Sequence, residues 1–405
     1  MSLPVNFKRY ANPARLRWIP NFLIVLPLLL GACQPQLVMP VQPVDPPTLP
    51  IAEIEALVEE IVRELDVPGT AIGIVKNGEL VYAQGFGIQE LGSEQPVTPE
   101  SVFFLSSNAK TVTATALMQL VEQGRIDLDV PVTTYLPYFE LADERYTDIT
   151  IRNLLLHDSG MPEYDYLTVA LDPQLDDEAL ERYVRSMAEI ELQSTPGEQF
   201  SYSGMGYDIL GDVIAKVTGQ TFEDYITENI FQPLNMPSTS ILKEDFAPTQ
   251  LATPHTLNEE RQLIVNPVFP YDRIHGPDTN LFSTVEDMAN YAIAHLNSGE
   301  LDGNRILDPS SYELLWTLQN ETPFPPPDNG YGMGWMISEW NGHRVVGHGG
   351  LDKGFNTALT LIPDESMALI TMTNHSYFAS ENPAEWVLPG FVLRDSILDL
   401  LLLNE

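Results

Sequence analysis

Strand-forming segments lie at both ends of the globular part of this chain, and helical segments fill the middle. Near the start, residues 70–76 and 79–85 are β-rich runs joined by Asn77-Gly78, a dipeptide that tolerates the positive φ angles of a tight hairpin turn. Toward the end, further strands are expected at 331–339, 343–348, 355–362 and 367–374. The pattern predicts an α/β (α+β) fold with one mainly antiparallel sheet, built from both ends of the chain and flanked by helices.

Helical periodicity dominates between these strands. Apolar residues recur every three or four positions after Ile51, which predicts an amphipathic helix where the folded region begins. A helix is expected from Ser107 to Gln123, because Gly124 is typical just past a helix end. From about 135 to 300 the pattern predicts an inserted all-helical lobe, with helices at 151–157, 180–190, 206–218 and 222–231. A final helix is expected at 387–403, and the cleft between sheet and lobe is the natural binding site.

The N-terminal segment has the order of a secretory signal. Residues 1–32 carry four basic and no acidic side chains, and the apolar run at 19–30 is too short to span a membrane. The run ends in Leu30-Gly31-Ala32-Cys33, which is similar to a bacterial lipoprotein cleavage box, and Cys33 is the only cysteine. We expect a lipoprotein signal peptide (1–32), lipidation of Cys33 and export to the cell-envelope membrane, on its periplasmic or extracellular face. An uncleaved anchor or a chance cysteine is the alternative.

Proline density makes residues 33–50 an extended linker, so we expect the catalytic domain at 51–400. The charge is strongly acidic, with 57 acidic against 20 basic residues and a net charge of −37. Such a chain repels nucleic acid, which excludes that class of partner. Either a well-solvated surface or adaptation to high salt would explain the acidic composition. The sequence does not specify an oligomeric state.

The motif with chemical content is Ser107-Asn-Ala-Lys110, which follows an apolar, strand-like run. A serine and a lysine three residues apart lie on one face of a helix, and a serine at a helix start feels the positive end of the helix dipole. A buried lysine loses its proton more readily and can then act as a base toward the hydroxyl. The same spacing at Ser240 and Lys243 has no strand before it, and we interpret it as a coincidence on the surface.

Several segments in order resemble the serine β-lactamase and penicillin-binding-protein superfamily, and most closely its class C β-lactamase-related branch, which includes D-peptidase-like and esterase-like members. The resemblance covers about 51–400. It comprises the opening hairpin at 70–87, the nucleophile helix at 104–129, the Leu-Leu-Leu-His-Asp-Ser-Gly segment at 154–160, the Pro-Gly-Glu-Gln-Phe-Ser-Tyr-Ser-Gly segment at 196–204 and the Gly-His-Gly-Gly segment at 347–350.

The resemblance implies a role for each matched residue. Ser107 would be the nucleophile, Lys110 and Tyr202 would move its proton, and His348 takes the place where many relatives carry the lysine of a Lys-Thr-Gly motif. Gly349 and Gly350 would let the substrate lie against the strand. The backbone N–H groups of Ser107 and Leu351 would form the oxyanion hole.

One position departs from the family pattern. The usual Tyr-x-Asn reads Tyr202-Ser203-Gly204 here, so the side-chain amide that helps to hold the lysine and the substrate is missing. Two functions follow: a serine hydrolase acting through an acyl-enzyme on an ester, amide or lactam, or a catalytically impaired, surface-tethered binding protein. The partner is then a small-molecule or peptide substrate, such as a D-amino-acid peptide, a β-lactam or a simple ester.

No cofactor is expected, and the histidines show no metal-ligand spacing, which argues against zinc. We interpret His157 as structural, bridging under the cleft, and Glu198, Tyr207 and Asp208 as structural too.

Overall fold

The computed structural model describes residues 49–163, 174–377 and 386–403. The signal segment, Cys33 and most of the linker lie outside these residues, and their predictions are untested. Within the described ranges, the helices are α1 (Ile51–Glu64), α2 (Ala109–Glu122), α3 (Ile151–Leu155), α4 (Ala179–Arg185), α5 (Gly204–Thr218), α6 (Phe222–Ile226), α7 (Val285–Leu296), α8 (Ser311–Leu315) and α9 (Pro389–Leu402).

The strands of the main sheet are β1 (Gly69–Lys76), β2 (Glu79–Gly87), β9 (Asn320–Glu321), β10 (Gly330–Tyr331), β11 (Met336–Trp340), β12 (His343–Asp352), β13 (Phe355–Ile362) and β14 (Met367–Thr373). The remaining short strands are β3 (Phe103–Phe104), β4 (His255–Leu257), β5 (Leu263–Val265), β6 (Phe282–Ser283), β7 (Glu300–Leu301) and β8 (Asn304–Arg305). The main sheet is antiparallel, in the order β2-β1-β14-β13-β12-β11-β10-β9. The N-terminal hairpin therefore pairs with the C-terminal strands, which confirms the predicted sheet built from both chain ends.

The sheet has helices on both faces, because its central strands are apolar on both sides. In β1, Ile72 and Ile74 pack in one cluster with Ile54 of α1 and Leu393 of α9. Alternate residues of the same strand, such as Ala71, belong to the larger core on the opposite face. This two-sided burial extends to β13 and β14, in which every residue is buried.

Of two elements predicted from local signals, one matches the structure and the other does not. The hairpin turn is as expected, with φ of 52° at Asn77 and 80° at Gly78. The prediction of one continuous strand at 331–339 is wrong, because the strand is interrupted between β10 and β11. Gly334 has a φ of 81° there, and a Cβ on Gly332 would lie 2.4 Å from the carbonyl oxygen of Leu315. Close backbone approach, which only glycine permits, interrupts the strand.

The predicted all-helical lobe is also wrong in part. The strands β4, β5 and β6 lie inside 135–300, so the interval is not all helical. Helix α7, from the same interval, packs against the main sheet: a Cβ on Gly73 of β1 would lie 2.5 Å from Cγ1 of Val285. The division into domains stays a prediction. In the part of the chain that the structure describes, no helix combines the length and apolarity needed to cross a bilayer.

Candidate active site

The nucleophile motif lies in a tight turn where β3 leads into α2. Residues Ser106–Asn108 form a 3₁₀ turn, so α2 begins at Ala109, two residues later than predicted. Ser106 has a positive φ of 50°, and its Oγ donates to the carbonyl oxygen of Leu351, 3.1 Å away. The Asn108 amide donates to Thr357 Oγ1 at 3.0 Å. These bonds tie the turn to β12 and β13 and fix where Ser107 stands.

Ser107 and Lys110 are in direct contact. The Lys110 Nζ donates a hydrogen bond of 3.0 Å to Ser107 Oγ, as the helical spacing predicts. Lys110 has no exposed surface, whereas Ser107 keeps 7% of its surface accessible. Ser107 therefore lies at the edge of the core, with an ammonium group beside its hydroxyl.

Asp278 is the counter-ion of this lysine, and sequence reasoning missed it. Its carboxylate forms an ion pair with Lys110 Nζ, and its backbone carbonyl oxygen accepts a second bond of 3.3 Å from the same atom. Both side chains are fully buried. Burial by itself lowers the pKa of Lys110, but Asp278 and Tyr202 outweigh it and raise that pKa above its usual range. Lys110 is thus an ammonium at neutral pH, so the expectation that burial would make it lose its proton more readily is wrong.

Tyr202 joins the pair from the segment that precedes α5. Lys110 Nζ lies 4.8 Å from the centroid of its ring, and the phenol is within hydrogen-bonding reach of both Lys110 and Ser107. Burial raises the pKa of Tyr202 to about 12, with Lys110 opposing the rise. The three predicted residues therefore meet at one point, with a phenol positioned between the lysine and the serine.

His157 supports Tyr202 from beneath. The two rings are 4.2 Å apart at their centroids and inclined by 32°, and His157 Nδ1 accepts a bond of 3.1 Å from the N–H of Ser203. Burial, followed by the charge of Lys110, lowers the pKa of His157 well below its usual value, so the ring is neutral. It acts as the structural bridge that the sequence predicted.

Gly204, where the family's amide is missing, is the first residue of α5. Its N–H faces the carboxylate of Glu163, with 3.1 and 3.2 Å to the two oxygens. A carboxylate at a helix N-terminus is stabilised by the helix dipole. The backbone nitrogen two residues after Tyr202 therefore has an acidic neighbour, and Gly204 itself brings no side-chain amide.

His348 of β12 lies beside Tyr202, with 6.3 Å between the centroids of the two rings. Its Nδ1 lies 2.7 Å from the carbonyl oxygen of Gly349, so that nitrogen carries the proton, and its Nε2 lies 3.4 Å from the hydroxyl of Tyr331. Burial, with Lys110 adding to it, lowers the pKa of His348 to about 3. The side chain is neutral at physiological pH and offers no positive charge to a substrate.

The two glycines after His348 face opposite sides of the sheet. A Cβ on Gly349 would lie 2.8 Å from the ring of Phe391 in α9. A Cβ on Gly350 would lie 2.0 Å from the carbonyl oxygen of Leu105, on the side of the nucleophile turn. Glycine at 350 lets β12 lie against that turn, which brings the backbones of Ser107 and Leu351 together. The oxyanion hole at their N–H groups stays a prediction.

Beneath Asp278 lies a buried histidine–carboxylate pair. His275 Nδ1 is 2.8 Å from Asp208 Oδ2, and ligand atoms of Asp208, His275 and Asp278 lie within 4.8 Å of one another. Burial raises the pKa of Asp208, and the neighbouring His275 opposes this rise. Burial alone would lower the pKa of His275, but the carboxylates of Asp208 and Asp278 outweigh it, so that pKa is raised as well. This spacing would suit a cation, but the ammonium of Lys110 already occupies the position facing Asp278. Residues 67 positions apart give no local motif, so the sequence did not indicate this cluster.

The second Ser-x-x-Lys match forms no site. Ser240 is buried, which corrects the predicted surface location, and its Oγ bonds to Asp245. Lys243 instead lies over the ring of Phe269, 4.7 Å from its centroid.

Comparison with known proteins matches most of the folded region. A family model described as Beta-lactamase matches residues 54–391. Protein flp of Staphylococcus aureus (strain COL) is 28% identical over 323 residues, 80% of this chain and 62% of flp, so the chain spans less than two thirds of that relative. An octameric penicillin-binding protein homologue from Pyrococcus abyssi has a TM-score of 0.73 at 29% identity, covering 87% of this chain and 78% of that one. A D-amino acid amidase from Ochrobactrum anthropi SV3 has the same fold, with a TM-score of 0.73 at 21% identity over 87% of this chain and all of that one.

Proposed function

The chain belongs to the beta-lactamase family, and on the geometry of its site we propose that it is a serine hydrolase working through an acyl-enzyme on Ser107. The observation that carries this proposal is the 3.0 Å contact of Lys110 Nζ with Ser107 Oγ, with the Tyr202 phenol in reach of both. A nucleophile and its proton-moving partners within hydrogen-bond distance are what acyl transfer requires.

The chemistry follows from this placement. Ser107 Oγ attacks the carbonyl carbon of the substrate while its proton passes to Tyr202 in its phenolate form, which the neighbouring Lys110 ammonium favours. The carbonyl oxygen becomes negative and is held by the backbone N–H groups of Ser107 and Leu351. The same proton then goes to the leaving group, and water releases the acyl group by the reverse route.

Three features support an ester as the preferred substrate over a β-lactam or a peptide. His348 is neutral, so it lacks the charge that a lysine would present to the carboxylate of a β-lactam. Gly204 brings no side-chain amide to bind an amide-bearing acyl group. Moreover, the carboxylate of Glu163 lies 3.1 Å from the backbone nitrogen of Gly204, where its negative charge would disfavour an anionic substrate. We also propose that the chain belongs to the class C β-lactamase-related branch, on the sequence motifs around Ser107, Tyr202 and His348.

The second candidate function is a binding protein of this fold with impaired catalysis. The specific observation that favours it is Gly204, because the group that helps to hold the lysine in relatives is absent. Under this alternative Ser107 would bind ligands without forming a covalent bond.

A serine-reactive phosphonate distinguishes the two functions. We expect it to label Ser107 in the folded protein, as seen by peptide mass spectrometry, and we expect nitrophenyl acetate to be hydrolysed. Ser107→Ala should abolish both signals, a loss of around 10⁶-fold in a comparable serine enzyme. The matched control is Ser240→Ala, which removes the serine of the second Ser-x-x-Lys match. A folded protein whose Ser107 resists the phosphonate would favour the binding protein.

The place of action is proposed from the N-terminal segment alone. Its basic–apolar–small order ending at Cys33 supports an exported protein held at the cell-envelope membrane by lipid on that cysteine. The linker at 33–50 would then separate the hydrolase domain from the bilayer.

A further inference from the structure

The neutral ring of His348 is held in one tautomer. Its Nδ1 lies 2.7 Å from the carbonyl oxygen of Gly349, and a carbonyl oxygen can only accept a hydrogen bond. The proton is therefore on Nδ1, and Nε2 carries a lone pair. We propose that Nε2 of His348 accepts a hydrogen bond from the substrate, so that the site selects an ester with a hydroxyl donor close to its carbonyl group. This inference rests on the proposed function, because it names a substrate class for the same acyl transfer.

His348 lies on the side of β12 that meets the nucleophile turn. Side chains two residues apart on a strand lie on the same face, so His348 shares its face with Gly350. A Cβ on Gly350 would lie 2.0 Å from the carbonyl oxygen of Leu105, and two residues of strand correspond to about 7 Å. The ring of Tyr202 lies 6.3 Å from that of His348, centroid to centroid. The acceptor nitrogen therefore belongs to the same site as the nucleophile.

Tyr331 is the internal partner of this acceptor. Its hydroxyl lies 3.4 Å from Nε2 of His348 and 3.3 Å from the hydroxyl of Tyr207. The Tyr207 hydroxyl donates its proton to the carbonyl oxygen of Leu155 at 2.9 Å, so its oxygen is an acceptor toward Tyr331. Tyr331 thus has one proton for two acceptors. Both distances are long for a hydroxyl donor, so a substrate hydroxyl at an ordinary distance can compete with Tyr331 for His348.

The second acceptor lets Tyr331 release His348 at little cost. When a substrate hydroxyl donates to Nε2, Tyr331 turns its O–H toward Tyr207 and keeps a hydrogen bond. This matters because all three side chains are buried, and a buried polar group without a partner costs more than an ordinary hydrogen bond contributes. A substrate without a donor leaves Tyr331 on His348 and gains nothing at this position. Tyr331 is therefore a positioning residue that acts through His348.

The same lone pair disfavours a group that can only accept. A carboxylate at Nε2 would place its own lone pairs against that of the ring. The ring could donate there only by gaining a second proton, and burial, with Lys110 adding to it, lowers the pKa of His348 to about 3. At neutral pH the ring therefore remains an acceptor, and it selects donors rather than anions.

Two nitrophenyl esters that differ in the donor test the inference, the hydroxyacetate and the methoxyacetate. The kcat/KM of each ester is divided by its rate of hydrolysis by hydroxide, which removes the difference in intrinsic reactivity. The ratio of the two corrected values, hydroxyacetate over methoxyacetate, is the donor preference. We expect a donor preference of about tenfold in the wild type, the upper end of what one neutral hydrogen bond contributes.

Three tyrosine-to-phenylalanine variants should change this preference in different directions. Tyr331→Phe leaves His348 without its internal donor, so the preference should rise by roughly two- to tenfold. Tyr207→Phe removes the second acceptor of Tyr331, so that a substrate donor would strand a buried hydroxyl, and the preference should fall toward one. The matched control is Tyr312→Phe, because the Tyr312 hydroxyl lies 2.9 Å from Nδ1 of His295 in another buried tyrosine–histidine pair, between α8 and α7. It should leave the preference unchanged.

The tautomer is measured directly by ¹⁵N NMR of protein labelled at histidine. The signals of His348 are assigned by their loss in His348→Gln. We expect a protonated Nδ1 and a bare Nε2 in the wild type. In Ser107→Ala, which cannot form the acyl-enzyme, the hydroxyacetate ester should shift the Nε2 signal and the methoxyacetate ester should not.

A proton on Nε2 of His348 would overturn the inference. A donor preference of one in the wild type, or shifts of the same sign in Tyr331→Phe and Tyr207→Phe, would overturn it too. Should a phenylalanine variant fail to fold, the tautomer and the response of Nε2 in Ser107→Ala still decide. Failure of the proposed function is distinguishable, because it shows as a Ser107 that resists the phosphonate, whereas the response of Nε2 does not depend on turnover.

Discussion

Replacing Gly350 by alanine should separate the third motif from the nucleophile turn. The added Cβ would lie 2.0 Å from the carbonyl oxygen of Leu105, 2.4 Å from Oγ1 of Thr357 and 2.8 Å from Nδ2 of Asn108. Ordinary contacts begin at 3.4 Å, and the first neighbour is a backbone atom of the turn that carries Ser107. The strand β12 must therefore move away from that turn by about 1 Å, and Leu351 with it.

Two magnitudes follow from this movement. Insertion of a carbon into a closely packed site costs about 1–3 kcal/mol of folding free energy. A displacement of about 1 Å between the nucleophile and the oxyanion donors costs about 10²-fold in rate, which corresponds to about 2.7 kcal/mol of transition-state stabilisation. Gly206→Ala in α5 is the matched control, because the added Cβ would make an ordinary contact of 3.5 Å with Cδ2 of Leu154 in α3. It should keep full activity and gain roughly 0.5–1 kcal/mol as a helix substitution.

The assay is hydrolysis of a nitrophenyl ester beside urea denaturation of both variants. Loss of kcat/KM in Gly350→Ala, with folding largely kept, is the expected result. Activity of Gly350→Ala equal to that of Gly206→Ala would refute the reasoning, because the approach of β12 to the nucleophile turn would then have no catalytic consequence.

Three further predictions concern charge and anchoring. The wild type should hydrolyse a short-chain nitrophenyl ester with a higher kcat/KM than a chromogenic cephalosporin, and His348→Lys should shift that ratio toward the cephalosporin; an unchanged ratio would mean that a carboxylate is recognised elsewhere. Burial raises the pKa of Asp212 to about 6, so the folded state holds this proton more tightly than the unfolded chain; its stabilising contribution is complete below about pH 4 and lost as the pH rises through 6. Urea denaturation should show a loss of up to roughly 3 kcal/mol from this group between pH 4 and 8, and the loss should be absent in Asp212→Asn. Cys33 should be the first residue of the mature protein and carry lipid. Intact-mass analysis of protein extracted from membranes measures this, and an unmodified Cys33 would contradict the prediction.

Local signals predicted the elements that local chemistry controls. Asn77-Gly78 indicated the hairpin because its turn needs two positive φ angles, and both are found. Gly124, with a φ of 67°, lies just past the end of α2, as expected. The contact between Ser107 and Lys110 could be predicted because three residues along a helix bring side chains together wherever the helix packs.

What the sequence could not reveal depends on contacts between distant segments. The break between β10 and β11 is set by the approach of Leu315 to Gly332, and strand propensity does not register such an approach. Asp278 follows a Gly-Pro turn, a context typical of a loop, and it meets Lys110 across a sequence separation of 168 residues. The burial of Ser240, likewise, follows from its pairing with Phe282 of β6.

The burial of Lys110 and Asp278 itself favours a catalytic site over a binding site. Replacing a buried ion pair by apolar side chains of similar volume is often neutral or stabilising, so folding alone gives little reason to keep one in a core. Here the ammonium also directs a hydrogen bond at the hydroxyl of Ser107, a residue that is not fully buried. A ligand-binding surface needs no cation behind a hydroxyl group, whereas acyl transfer needs a serine whose proton can leave. The cost of burying this pair is therefore best explained by a nucleophile that still reacts.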